Sequence, residues 1–293
     1  MYNPFSENKN KEDTDESLLD AIRNGDRHAL ERLVLRHQAW IYNIAMRMVY
    51  DHHEAEDLTQ EILVKVITKL DSFQGRSNLR TWIYRIAANH LFSAKKGSIE
   101  QMIKTFSQYG DELDSIADSS LSDINANQAE LELMVEEARI SCVHGMLLCL
   151  ERSQRLIFIL GEILKVDSQT GSEIMEISAD NFRQRLSRAR KELFSFMDQK
   201  CGLVNKDNPC RCSRKTKGYI ELGIVNPKQL VFSEGHVSKI QQIAPAALNE
   251  VDRIEEELSY VEEFQNTPFV QPKNHVDVLK SALSASVFGK PLH

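Results

Sequence analysis

Residues 51–96 read DHHEAEDLTQEILVKVITKLDSF, then QGRSNLR, then TWIYRIAANHLFSAKK. In the first segment Leu58, Ile62, Val66 and Leu70, joined by Leu63 and Ile67, fall on one side of a helix from Glu54 to Leu70. Asp57, Gln60, Glu61, Val64 and Lys65 lie off that seam, which makes the early part of the outer face acidic. Gln74-Gly75-Arg76-Ser77-Asn78 is a loop. The following helix buries Leu79, Trp82 or Ile83, Ile86, Ala87, His90 and Leu91. It leaves Arg80, Thr81, Tyr84, Arg85, Ala88, Asn89 and Phe92 on or near the other face. Aromatic rings stack on bases and Arg neutralises phosphate, so the second helix suits an opened nucleic-acid strand. The competing reading is that Trp82 and Tyr84 are half-buried core residues. The histidine pair at 52–53 has no recognisable ligand partner in sequence and reads as surface.

Working outward, the 293 residues suffice for two or three domains, with 42% hydrophobic and 27% charged residues, as in soluble globular chains. Only 12 Gly and 7 Pro are present, and helical periodicity outweighs strand-like alternation, so the expected fold is mainly α. The net charge of −7 is unlike that of a uniformly basic nucleic-acid binder. The charge is segregated, however: acidic residues crowd 111–137 and 250–263, and basic residues crowd 76–96 and 183–191. There is no apolar run long enough for a transmembrane helix, and the polar N-terminus is not a secretory signal, so no membrane insertion and a cytoplasmic location are expected. The five cysteines, an odd number, read as reduced thiols or a metal or redox site and not as a disulfide framework.

Residues 1–13 read as disordered. A helix starts near Thr14 or Asp15, and Asn24-Gly25-Asp26 separates it from a long apolar-faced helix. The helical domain runs over 14–96, and an acidic linker covers 97–137, with short helices near 99–106 and 130–139. A second helical domain covers 138–200. Ser153 is a plausible cap within it, and short helices at 168–175 and 179–197 form a helix-turn-helix. Phe182, Leu186, Ala189, Leu193 and Phe196 make the buried stripe of the last helix. Asn181, Arg183, Arg185, Arg188, Arg190 and Lys191 are candidates for base edges and phosphates.

AEDLTQE followed by F-x-G-x-S-x-L-R-T-W-I-Y-R-I-A-x-N resembles region two of bacterial RNA polymerase sigma factors of the extracytoplasmic-function group, within the sigma-70 family. The basic stretch S-A-D-N-F-R-Q-R-L-S-R-A-R-K-E-L resembles region four of the same family. The resemblance implies a region-2-like bundle and a region-4-like helix-turn-helix, the partners core RNA polymerase and promoter DNA, and an anti-sigma factor as a further candidate partner. It makes Asp57, Gln60 and Glu61 polymerase contacts. Asn78, Leu79, Arg80, Trp82, Arg85 and Asn89 stand near the melted minus-ten strand, and the basic last helix reads the minus-thirty-five element. Two departures stand out. Glu176 occupies a turn position where the family often has Gly, and Gly171 stands where a larger apolar residue is usual. Both are expected to loosen the motif.

The extension 201–293 exceeds what the family needs. Its C-x8-C-x-C run supplies Cys201, Cys210 and Cys212 as candidate zinc ligands, with His236, His144 or Cys142 available as a fourth. A redox switch and plain cytosolic thiols are the alternatives. Cys142 and Cys149 lie in an apolar helical run and read as core. Leu248, Val251, Ile254, Leu258, Val261 and Phe264 form an amphipathic stripe edged with glutamates, and its charge suggests shielding of the basic DNA-reading face. The sequence therefore reads as a sigma factor with a C-terminal extension and no catalysis of its own, since no general base, phosphate loop or nucleophile motif stands beside the cysteines. The alternative is a stand-alone helix-turn-helix regulator with a metal- or redox-responsive tail.

Overall fold

The computed structural model describes residues 14–102, 105–232, 260–276 and 279, and every regular element among them is a helix. These are α1 (Asp15–Arg23), α2 (Arg27–Val49), α3 (His52–Lys69), α4 (Leu79–Ser93), α5 (Ser98–Met102), α6 (Phe106–Ser115), α7 (Gln128–Cys149), α8 (Arg152–Phe158), α9 (Ser168–Met175), α10 (Ala179–Lys200), α11 (Cys212–Glu221) and α12 (Tyr260–Gln265). Local chemistry sets most boundaries. Thr14 and Ser17 cap α1 reciprocally, Asp26 caps α2, Asp51 caps α3 and Asn78 caps α4 by accepting from the Thr81 amide at 2.7 Å. Asn127 and Glu130 form a second reciprocal cap on α7.

The chain divides into two compact units. The first joins residues 1–99, 152–186 and 271–293; the second joins 100–151 and 187–270. Each therefore draws on stretches that the sequence places in different segments. The stretch 97–137, read as a linker, contains α5, α6 and the start of α7. Helix α7 is a single 22-residue element where two shorter ones were expected.

In the first unit α2 is the central helix, packed by α1, α3, α4 and α8. Its buried side extends all round, so that His37, Asn43 and Arg47 are enclosed with Ile41, Ile44 and Met48. These polar groups are held. Asn43 Nδ2 donates to the Ala39 carbonyl and Arg47 Nη1 to the Asn43 carbonyl, at 2.7 and 3.1 Å. Asp15, almost fully buried, stands 2.9 Å from Arg36, 3.3 Å from His37 and 3.4 Å from Arg80, which ties α1 to α2 and α4. Helix α8 continues as a π turn over Ile159–Ile163. Arg155, fully buried, donates to the Met48 carbonyl, and Arg152 donates to the carbonyls at the end of α4. Ser153 lies inside α8 and accepts from Arg185 instead of capping the helix.

The second unit packs α6 and α11 against α7. Glu137 of α7 receives the amides of Val231 and Phe232, and Arg139 pairs with Glu136 and with Glu263 of α12. Most of the amphipathic stripe at 248–264 lies outside the described residues. Its described end engages Arg139 of α7.

Candidate protein and nucleic-acid interfaces

Helix α3 presents the acidic face expected from its pattern. Leu58, Ile62, Leu63, Val66 and Ile67 are buried, while Asp57 and Glu61 are exposed and Gln60 is half-buried. Glu61 stands 2.9 Å from His90 Nε2, whose other ring nitrogen is 2.5 Å from Lys65 Nζ. Burial pushes the His90 pKa down, with Lys65 acting the same way and Glu61 opposing. The neutral ring has its Nδ1 set to accept from Lys65. His52, expected at the surface, is partly buried, with Nδ1 2.5 Å from the Tyr42 hydroxyl.

Helix α4 departs from the expected division of faces. Tyr84 is almost fully buried, with its hydroxyl 3.3 Å from His37 Nδ1, and Thr81 and Ala88 are buried with it. Helix α4 is packed by α2 and α3 on one side and by α9 on another, so a single apolar stripe understates what it buries. Leu79 has no exposed surface and serves as a core anchor, which corrects its assignment to a strand-contacting surface. Arg80 turns to Asp15 through Nε. Trp82 is half-buried against Phe73, ring centroids 5.5 Å apart. Asn78 and Asn89 are exposed and Arg85 is half-buried. Arg85 Nε donates to the Glu173 carbonyl at 2.9 Å, and Asn89 Nδ2 donates to the Glu176 carboxylate at 3.2 Å. The polar face of α4 is thus engaged by the end of α9.

The helix-turn-helix forms as expected. Asp167 caps α9 through Gln169 and Thr170, and Ser178 Oγ accepts from the Asn181 amide at the start of α10. Glu176 adopts the left-handed conformation that ends α9, at φ 53°, where Gly is the least strained residue. Gly171 has the opposite meaning from the expected one. A Cβ there would meet the Phe182 ring at 2.5 Å, so the small residue admits the ring and closes the motif's core. On α10, Phe182, Ala189 and Leu193 are buried; Arg183, Arg188, Arg190 and Lys191 are exposed; Arg185 and Asn181 are half-buried. Arg183 donates to Ser168 and pairs with Asp180, and Arg185 bonds Asn181 and Ser153, so these two are held on the surface of the motif.

The second unit contains a cleft of about 470 Å³ lined by Cys142, Cys201, Cys210 and Cys212, with Met146 and Phe196 among its apolar walls. All four cysteines are free thiols. Burial raises the Cys142 thiol to about 12 and the Cys201 thiol to about 11, and it pushes Cys210 and Cys212 up as well. The Val204 amide donates to the Cys201 carbonyl at 3.3 Å, and the Tyr109 hydroxyl donates to the Cys142 carbonyl at 3.1 Å. Among the described residues no group of three or more His, Cys, Asp or Glu could hold a metal ion. His236 lies outside the described residues. His144 sends Nδ1 to the Ile140 carbonyl and stacks on Phe232. Cys142, read mainly as core, therefore joins the C-terminal cysteines, and nothing in its local sequence signals a partner so far along the chain.

The Sigma-70 region 2 family matches residues 33–97, which encloses the α3–α4 arrangement. The RNA polymerase sigma-H factor of Pseudomonas aeruginosa is 27% identical over 186 residues, covering 62% of this chain and 93% of that protein. The ECF RNA polymerase sigma-E factors of Escherichia coli K12 and Salmonella typhimurium LT2 are each 28% identical over 180 residues, covering 61% of this chain and 92% of theirs. Among solved structures, CnrH in complex with the cytosolic domain of CnrY has a TM-score of 0.45 at 21% identity, covering 64% of this chain and 99% of that one. The sigma factor RpoE in complex with the anti-sigma factor NepR from Bartonella quintana has a TM-score of 0.36 at 24% identity, covering 57% and 93%.

Proposed function

We infer the function of this chain from its membership of the extracytoplasmic-function group of sigma-70 factors: it binds core RNA polymerase and directs promoter recognition and the initiation of transcription. The observation that carries this is the α3–α4 pair, an exposed acidic face followed by a polar, aromatic-edged helix, inside the stretch that matches Sigma-70 region 2. The chain performs no bond-making chemistry in this role and acts in the cytoplasm, where its polymerase partner works. No helix among the described residues is long and apolar enough to cross a membrane.

Asp57, Gln60 and Glu61 are proposed to meet the polymerase, because Asp57 and Glu61 are the exposed carboxylates of α3 and Gln60 lies half-buried between them in sequence. Asn78, Trp82, Arg85 and Asn89 are proposed to meet the opened minus-ten strand, with Leu79 and Arg80 positioning α4 from within. Asn181, Arg183, Arg185, Arg188, Arg190 and Lys191 are proposed to meet the minus-thirty-five element. Arg85 and Asn89 are engaged by α9 in this arrangement, so promoter binding requires α4 and α9 to separate. An anti-sigma factor that binds the chain in its inactive state is a further proposed partner. The stand-alone regulator is not favoured, because it gives the acidic face of α3 no task.

The test is transcription from fragmented genomic DNA by core polymerase with and without the protein. Start sites that appear only with the protein, and share two spaced sequence blocks, are the expected result. Binding to duplex DNA alone, with no new start sites, would support the stand-alone regulator.

A further inference from the structure

In the first unit, helices α2 and α3 carry a surface that a much later part of the chain occupies. Gln38 of α2 and Glu56 of α3 are polar side chains buried away from solvent. Both are answered by backbone. The Lys273 amide donates to Glu56 Oε1 at 3.1 Å, and the His275 amide donates to Gln38 Oε1 at 3.1 Å. His275 Nε2 stands 2.9 Å from Glu56 Oε2. Main-chain donors taken from alternate residues, with side chains buried beside them, are how a groove recognises a peptide segment.

The occupant is shaped for that seat. Asn274 Oδ1 accepts from the Val276 amide at 3.0 Å, which starts a helical turn at His275. His275, Val276 and Leu279 are buried, Leu279 with no exposed surface, while Lys273 and Asn274 face solvent. Val276 and Leu279 are three residues apart, the spacing that puts two side chains on one face of a helical turn. We propose that residues 271–276 and 279 form a strap docked on the α2–α3 face, and that this strap competes with core RNA polymerase for α3. The competition rests on the polymerase-binding role proposed above; the docking does not.

Position makes the strap a competitor. Glu56 directly precedes Asp57 and stands one helical turn before Gln60 on the same side of α3. A stable protein contact covers about 800 Å² on each partner. That is far more than Asp57, Gln60 and Glu61 offer alone, so a partner gripping them extends over Glu56 and meets the strap. Chemistry makes the strap removable. The seam of α3 that packs permanently is apolar, with Ile62, Leu63, Val66 and Ile67. The strap's seat instead offers a carboxylate and a carboxamide, whose hydrogen bonds water can replace when the strap leaves. Release exposes two apolar side chains and breaks two backbone bonds, a small contact sustained by the tether to the same chain.

Hydrogen exchange on the full chain reads the strap without polymerase. The Lys273 and His275 amides should exchange about tenfold or more slowly than in a free peptide of residues 268–283; exchange at the free-peptide rate would overturn the docking. Two full-length variants release the strap. Leu279→Asp puts a charge at its buried end, and Lys273→Pro removes only the amide that Glu56 accepts. Each should speed exchange at His275 and tighten binding to core RNA polymerase by a factor matching the protection, about tenfold, because both report the closed fraction. If Leu279→Asp fails to fold by helical circular dichroism, Lys273→Pro decides. Unchanged His275 exchange in Lys273→Pro would overturn the docking. Faster exchange with polymerase binding as tight as that of the wild type would overturn the competition and leave the polymerase role standing. No polymerase binding by wild type or variants would overturn that role, and the competition with it.

Discussion

Asp15 shows how much one side chain can organise. Burial raises its pKa, but His37, Arg36 and Arg80 outweigh that and hold the carboxyl well below the usual range. Its folded pKa is lower than its unfolded one, so its contribution to stability is present above the unfolded value and lost as pH falls through the folded one. Asp15→Asn should cost about 3–5 kcal/mol at neutral pH by leaving buried cations unanswered. In urea unfolding, the gap between wild type and variant should close as the pH falls below about 4; a gap independent of pH would contradict this. Gly171 makes a steric prediction. Gly171→Val should destabilise the chain by about 1–3 kcal/mol through the Phe182 ring, measured by the same unfolding. The sequence identified Gly171 and Glu176 as unusual. It did not show that Phe182 fills the space above Gly171, because that complementarity exists only once α9 and α10 have packed.

At the scale of the helix, legibility followed the number of neighbours. The buried seam of α3 was readable because its Leu58, Ile62 and Val66 face inward while Asp57 and Glu61 face out. The face of α4 was not fully readable: packing on more than one side takes Tyr84, Thr81 and Ala88 into the interior. The start of α7 was legible, near 130 against Gln128, but its unbroken run to Cys149 was not, because acidic and polar first turns resemble a spacer. The contact between α4 and α9 carries its own prediction. Glu176→Gly removes a strained left-handed residue and releases Asn89. It should raise stability by up to about 1 kcal/mol. It should also strengthen binding of the free chain to a single-stranded promoter fragment, read by fluorescence anisotropy. Unchanged DNA affinity would mean that the α9 contact does not restrain α4.

For the molecule as a whole, the helical class, the region-2-like stretch and the acidic and basic surfaces were legible from periodicity and motif order. The way separated stretches combine was not. The 152–186 stretch belongs with α1–α4, and Cys142 belongs with cysteines beyond α10, since such pairings depend on tertiary contacts that no local spacing encodes. The claim that joins these levels is that the exposed carboxylates of α3 anchor the chain to its polymerase. The most direct measurement is core RNA polymerase binding by the wild-type chain and by the Asp57→Ala/Glu61→Lys variant, followed by pull-down and fluorescence anisotropy. Both substitutions lie on the exposed face, so the fold should survive, as helical circular dichroism would verify. The account predicts tight binding by the wild type and a loss of about tenfold or more in the variant, the scale of two lost charged contacts. Equal binding by both proteins would contradict it.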